Sequence, residues 1–161
     1  MIIKIKEILK QIIYYPELKF DEINYDDYWK TKRGVDLGYS NSWQRKRGDW
    51  IIERIEKGAT ILDVGCGDGG VCLYMKKKKD LNIIGADISD IVLNFLKSKE
   101  IDVIKFDIND FDSIENLPVV DHVLMLEVLE HMPNSEKFLK VISKKARKSL
   151  FISFPNSGYI S

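Results

Sequence analysis

The sequence predicts an α/β protein: a parallel sheet whose strands are joined by right-handed helical crossovers. Three observations predict it. Apolar runs of strand length, at 60–64, 81–87, 101–106, 119–126 and 149–154, alternate with segments of helical periodicity. The first run ends at Asp63 and Val64 and breaks into Gly65-Cys66-Gly67-Asp68-Gly69-Gly70, after which Val71 to Met75 begin a buried helix. The second run ends at Asp87, 22 residues after Gly65, the spacing at which an acidic residue meets ribose hydroxyls in nucleotide-binding sheets.

Glycines suit this turn because they accept positive φ and let the backbone approach a ligand closely. Gly65, Gly67 and Gly70 satisfy G-x-G-x-x-G, the dinucleotide fingerprint. The acidic residues separate two ligand classes. A dinucleotide rests its pyrophosphate on the helix N-terminus, where the dipole favours negative charge. Asp63 and Asp68 would repel that anion. S-adenosylmethionine has no phosphate; its ammonium, sulfonium and carboxylate sum to a cation that carboxylates help hold. At these residues the sequence resembles the class I S-adenosylmethionine-dependent methyltransferases, whose first motif is similar to Leu62-Asp63-Val64-Gly65-Cys66-Gly67-Asp68-Gly69. The resemblance implies a Rossmann-like sheet of order 3-2-1-4-5. The cofactor S-adenosyl-L-methionine would lie over the C-terminal ends of strands one to four, at the topological switch point. Asp63 would orient the ammonium, directly or through water. Gly65, Cys66 and Gly67 would pass beneath the methionine moiety, with no chemistry assigned to the Cys66 thiol. Asp87, with Ile88 beside it, would hold the ribose.

Composition narrows the partners. At 161 residues the chain can bury the core of one domain. Lys+Arg and Asp+Glu are both 25, so no global basic field argues for nucleic acid. The apolar runs are far too short to span a bilayer. The N-terminus has no signal-peptide cleavage pattern. Cys66 and Cys72 are the only cysteines and form no CxxC pair. A soluble, cytoplasmic protein with a small-molecule substrate is expected, without a membrane or nucleic-acid partner.

Residues 1–41 are expected to form an N-terminal helix and an aromatic lid segment, ahead of a cofactor-binding domain at 42–161. Ile2, Ile3, Ile5, Ile8, Leu9, Ile12 and Ile13 recur at near-helical spacing, which predicts an amphipathic helix that ends by Pro16 and docks on the domain. A membrane-surface helix is the alternative. Residues 17–41 carry Phe20, Tyr25, Tyr28, Trp29 and Tyr39 without a clear period. Two readings stand here: aromatics packed on the domain, or the mobile lid that often covers the cofactor in class I methyltransferases. A helix is expected over 42–57, capped by Ser42 and stopped by Gly58, with Trp43, Trp50, Ile51 and Ile55 as its apolar stripe. Arg45, Lys46 and Arg47 read by default as a solvated basic turn. Arg47-Gly48-Asp49-Trp50-Ile51-Ile52-Glu53-Arg54 is also similar to a helix of the ubiquinone-biosynthesis O-methyltransferases. There the leading arginine pairs with the cofactor carboxylate, a role the resemblance carries to Arg47.

After the glycine turn a helix is expected to Lys79, with Lys76 to Lys79 favouring its C-terminal dipole. Ser89 would cap the next helix, which carries Ile91, Val92, Phe95 and Leu96 on one face. The third strand ends at Asp107-Ile108. In the methyltransferase family this position looks like the adenine contact, Asp107 accepting the amino hydrogen and Ile108 covering the ring; the alternative is a plain turn aspartate. Residues 109–118 read as a loop or short helix. Leu126, at the end of strand four, would sit near the sulfonium.

Glu127-Val128-Leu129-Glu130-His131 follows. If Glu127 opens a helix, Glu130 and His131 fall on its face at i+3 and i+4. Three readings remain: a structural cluster, His131 as general base near the methyl group, or a divalent metal site. Glu-x-x-Glu-His resembles the metal motif of the small-RNA 3′-terminal 2′-O-methyltransferases. That motif needs a further histidine, and the chain's other histidine is His122, within strand four. No metal site is therefore assigned. His131 stays the catalytic candidate, and Glu127 joins the cofactor-binding set. Asn134 or Ser135 would cap a helix to about Arg147, with Phe138, Leu139 and Ile142 inward. Ser153-Phe154-Pro155-Asn156 resembles the MetW-like methyltransferases of methionine biosynthesis.

A complete class I domain has seven strands, and this chain carries five. The open sheet edge is a liability. A fragment, a shortened gene product, or a homodimer paired through that edge is expected. The predicted activity is in-line transfer of a methyl group to an unidentified small acceptor. The alternatives are a non-catalytic S-adenosylmethionine-binding or partner-binding module, a metal-dependent RNA 2′-O-methyltransferase and, least favoured, an NAD-dependent oxidoreductase.

Overall fold

The computed structural model describes residues 24–32, 37–132 and 135–154. The helix expected at 2–14, Phe20, the Asn134 cap and Pro155-Asn156 lie outside the described residues. The strands are β1 (Thr60–Val64), β2 (Asn82–Asp87), β3 (Asp102–Lys105), β4 (Val120–Leu126) and β5 (Ala146–Ser153). They form one parallel sheet in the order β3-β2-β1-β4-β5, as expected. Register sets Asp63 beside Gly85 on one side and Leu124 on the other. The C-terminal ends of β1, β2 and β4 therefore deliver Asp63, Asp87 and Leu126 to one edge of the sheet.

The helices are α1 (Tyr25–Lys32), α2 (Ser42–Ile52), α3 (Gly70–Lys78), α4 (Asp90–Ser98) and α5 (Ser135–Ile142). Successive side chains of a strand point to opposite faces, so each buried strand feeds two cores. Ile61 and Leu124 meet Ile51 of α2, Met75 of α3 and Leu96 of α4 on one face. Leu62, Val64, Val123 and Met125 meet Phe138 and Ile142 of α5 on the other. No helix among the described residues is long and apolar enough to cross a membrane.

Several boundaries differ from expectation. The cap of α2 is Asn41 rather than Ser42. Asn41 Oδ1 accepts from the Gln44 amide and Gln44 Oε1 accepts from the Asn41 amide, both at 2.9 Å, a reciprocal capping box. That helix ends at Ile52 rather than 57. Residues 25–32, read without a period, are helical. Asp26 Oδ1 ties α1 to the start of α4, accepting from the Ser89 hydroxyl at 2.5 Å and the Ile91 amide at 3.4 Å. Helix α5 stops at Ile142, short of Arg147. A 3-10 turn at Ser143–Lys145 follows, and Ala146 already pairs with Val120.

Candidate active site

A cavity of about 840 Å³ opens at the C-terminal edge of the sheet. It is large enough for a nucleoside and a small acceptor together. The floor is the turn between β1 and α3. Gly65 has φ +69°, and a Cβ there would lie 2.7 Å from Val128 Cγ2, so only glycine fits. Gly70 fails for another reason: its Cβ would lie 2.4 Å from the Tyr39 carbonyl oxygen.

Carboxylates surround this floor. Asp87 Oδ2 accepts from the Gly67 amide and Oδ1 from the Ser89 amide, each at 3.0 Å. The side chain thus braces the turn against the start of α4. Burial raises its pKa, and the amide hydrogen bonds from Ser89 and Gly67 pull the other way. Asp68 Oδ1 accepts from the Gly70 amide at 2.9 Å, and its Oδ2 meets Gln44 Nε2 at 3.5 Å. Asp63 lies beneath them, 3% exposed, accepting from the Cys72 thiol at 3.2 Å. Burial pushes its carboxyl up to about 7.

Asp107 lines the same cavity and also accepts from the Asn109 amide at 2.8 Å. The turn role and the ligand-facing position coexist. Tyr25 of α1 stands near both Asp87 and Asp107; burial first, then these two charges, raise its pKa and keep the phenol a donor. Trp29, on the same helix, lies over the turn: a Cβ on Gly67 would sit 3.5 Å from its ring.

Arg47, Asp63, Gly65, Cys66, Gly67, Asp87, Ile88, Asp107, Ile108, Leu126, Glu127 and His131 all line this one cavity. Gln44 and Val128, which no sequence motif marked as ligand-facing, line it too, as do Glu130 of the Glu-x-x-Glu-His cluster and Tyr25, Tyr28 and Trp29, which stood between two readings. The Asn41-to-Gln44 capping pattern could have placed Gln44. The helical expectation at Glu127 is corrected. Glu127 has φ +59°, and its amide donates to the Ser153 carbonyl at 3.1 Å. A 3-10 turn, Leu129–His131, replaces the α-helix. Glu127 forms an ion pair with Arg47. Glu130 Oε2 is buried without a hydrogen-bond partner. His122 lies in the first half of β4 beside Ile61, away from the strand end that borders the cavity, and its Nε2 lies 3.2 Å from Glu56 Oε2. It cannot join His131. Among the described residues no group of three or more His, Cys, Asp or Glu side chains is arranged to hold a metal ion.

Comparison with known proteins agrees with this architecture. The (S)-tetrahydroprotoberberine N-methyltransferase of Eschscholzia californica is 34% identical over 95 residues, which is 56% of this chain and 27% of that protein. The mitochondrial ubiquinone biosynthesis O-methyltransferase of Dictyostelium discoideum is 30% identical over 129 residues, 65% of this chain and 38% of that protein. A crystal structure of coclaurine N-methyltransferase bound to N-methylheliamine and SAH superposes with a TM-score of 0.60 at 26% identity, over 68% of this chain and 35% of that one. The chain thus spans well under half the length of these relatives. The family described as "Methyltransferase domain" matches residues 41–158, from the cap of α2 past the end of β5. With that match added to the glycine turn and the carboxylates around it, the chain belongs to the methyltransferase-domain family, the S-adenosylmethionine-dependent methyltransferases of class I.

Proposed function

We propose that this chain binds S-adenosyl-L-methionine in the cavity and transfers its methyl group to a small-molecule acceptor. The observation that carries the reading is Asp87. Its carboxylate is fixed by two backbone amides at the lip of the glycine turn, positioned to accept hydrogen bonds from a ribose diol. Asp68 at the turn, and Asp63 below it in its ionised form, make the floor hospitable to a cation and hostile to a pyrophosphate.

When bound, the cofactor supplies an activated methyl group on a sulfonium; the protein's contribution is proximity and orientation. Asp87 with Ile88 holds the ribose. Asp107 accepts the adenine amino hydrogen, and Ile108 covers the ring. Gly65, Cys66 and Gly67 pass beneath the methionine moiety, and Arg47 takes its carboxylate. Asp63, sunk below the turn with its pKa raised to about 7, acts on the ammonium through water, the bound cation favouring its ionised form. Leu126 borders the reacting carbon. His131, at the cavity wall, takes the proton released by the acceptor. The lone Glu130 oxygen suits an acceptor that donates a hydrogen bond, an amine or a hydroxyl. Helix α1, pinned through Asp26, serves as the lid. Balanced charge supports a reaction on a small molecule rather than on nucleic acid.

Binding of radiolabelled S-adenosylmethionine against NAD tests the reading directly. Saturable binding of the former and none of the latter is expected. Binding of NAD alone, or of neither, overturns it.

A further inference from the structure

The proposed ligand ends in an α-amino acid, with a carboxylate and an ammonium on one carbon. Two opposite charges stand at the cavity wall. Arg47 comes from α2 and Glu127 from the end of β4, and they are paired with each other through Arg47 Nη2. Both remain reachable, with side-chain exposures of 23% and 46%. Glu127, the more exposed partner, is open to solvent from the cavity side.

The backbone singles out Glu127. It sits at φ +59°, in the left-handed region where a side chain is strained. Strain of this kind persists where the surroundings over-determine it. Here the Glu127 amide is held by Ser153 and its carboxylate by Arg47. Asp63, the other carboxylate beside Arg47, is poorly suited to meet an ammonium directly. It is buried, and its Oδ2 accepts from the Cys72 thiol.

We infer that the ligand's amino-acid end inserts into the Arg47–Glu127 ion pair, the carboxylate bound by Arg47 and the ammonium by Glu127. This rests on the S-adenosylmethionine reading above and adds Glu127 as the direct partner of the ammonium. Each side chain exchanges one opposite charge for another, so charge stays balanced throughout. The guanidinium fork matches the incoming carboxylate in bidentate geometry. In the unliganded protein the pair keeps both charges neutralised and in position.

Calorimetry with three ligands tests this. S-adenosylhomocysteine carries both groups, its decarboxylated analogue only the ammonium, and its deaminated analogue only the carboxylate. Glu127→Gln should weaken the first two roughly tenfold to a hundredfold, the loss of a charged hydrogen bond, and leave the deaminated analogue within about twofold. Arg47→Gln should weaken S-adenosylhomocysteine and the deaminated analogue and spare the decarboxylated one. If either variant weakens all three ligands equally, or none, the exchange is wrong while the cofactor site stands. If the unaltered protein binds none of them, the cofactor reading falls and the exchange falls with it.

Discussion

Asp63 offers a quantitative check on how the core and the site share one residue. Its carboxyl is almost fully buried under the glycine turn. Desolvation is the largest influence on it; the Cys72 thiol opposes, Asp87 and Asp68 reinforce, and Arg47 opposes again. The balance places its pKa at about 7, against an ordinary aspartate value of 3.8. The folded protein therefore holds this proton more tightly than the unfolded chain does. Stability from this group is complete below the unfolded value and is lost as pH rises through the folded one. One pKa unit is about 1.4 kcal/mol, so the full window spans about 4 kcal/mol, of which about 2–3 kcal/mol falls between pH 5 and 8. Asp63→Asn keeps the shape and removes the titration. Urea unfolding of both proteins at pH 5, 6, 7 and 8 measures the difference. The variant should gain about 2–3 kcal/mol on the unaltered protein across that range. Parallel pH profiles would show that the carboxylate is solvated or neutralised when folded, and the desolvation argument would fail.

Three other perturbations probe separate parts of the site. Asp87→Ala removes the ribose acceptor, and S-adenosylhomocysteine should bind more weakly by roughly 1.5–3 kcal/mol per charged hydrogen bond lost; unchanged affinity by calorimetry refutes the ribose assignment. Asp107→Ala should weaken adenosine-containing ligands and leave free methionine unaffected, whereas equal losses for both count against the adenine contact. Gly70→Ala sets a methyl group 2.4 Å from the Tyr39 carbonyl oxygen. Displacing that backbone should cost about 1–3 kcal/mol in urea unfolding, and a change below about 0.5 kcal/mol would mean that the segment yields freely.

The strands and the glycine turn were legible because their causes are local. An apolar run of strand length followed by glycines needs no distant partner to be read. Helix α1 was not legible: eight residues carry too little periodicity. Its place depends on Asp26 reaching Ser89 and on Trp29 covering the turn. Asn41 and Ser42 were both able caps, and the reciprocal bond from Gln44 decided between them. At Glu127 the pattern suggested a helix, but the Ser153 carbonyl of β5 captures the amide and turns the backbone left-handed. Glu130 gave no sign of its isolation, because a missing partner is a property of the packed interior.

By itself the sequence determined the alternation of strands and helices, the tight turn, and the acidic residues at strand ends. Strand ends in a parallel sheet share one edge, so those carboxylates had to converge. Only the tertiary structure decided that Arg47 meets Glu127 across 80 residues of chain, that His122 and His131 lie apart, and that Asp63 holds its proton near neutrality. Pairing and desolvation depend on which surfaces the fold brings together and which it closes to water, and no local pattern encodes either.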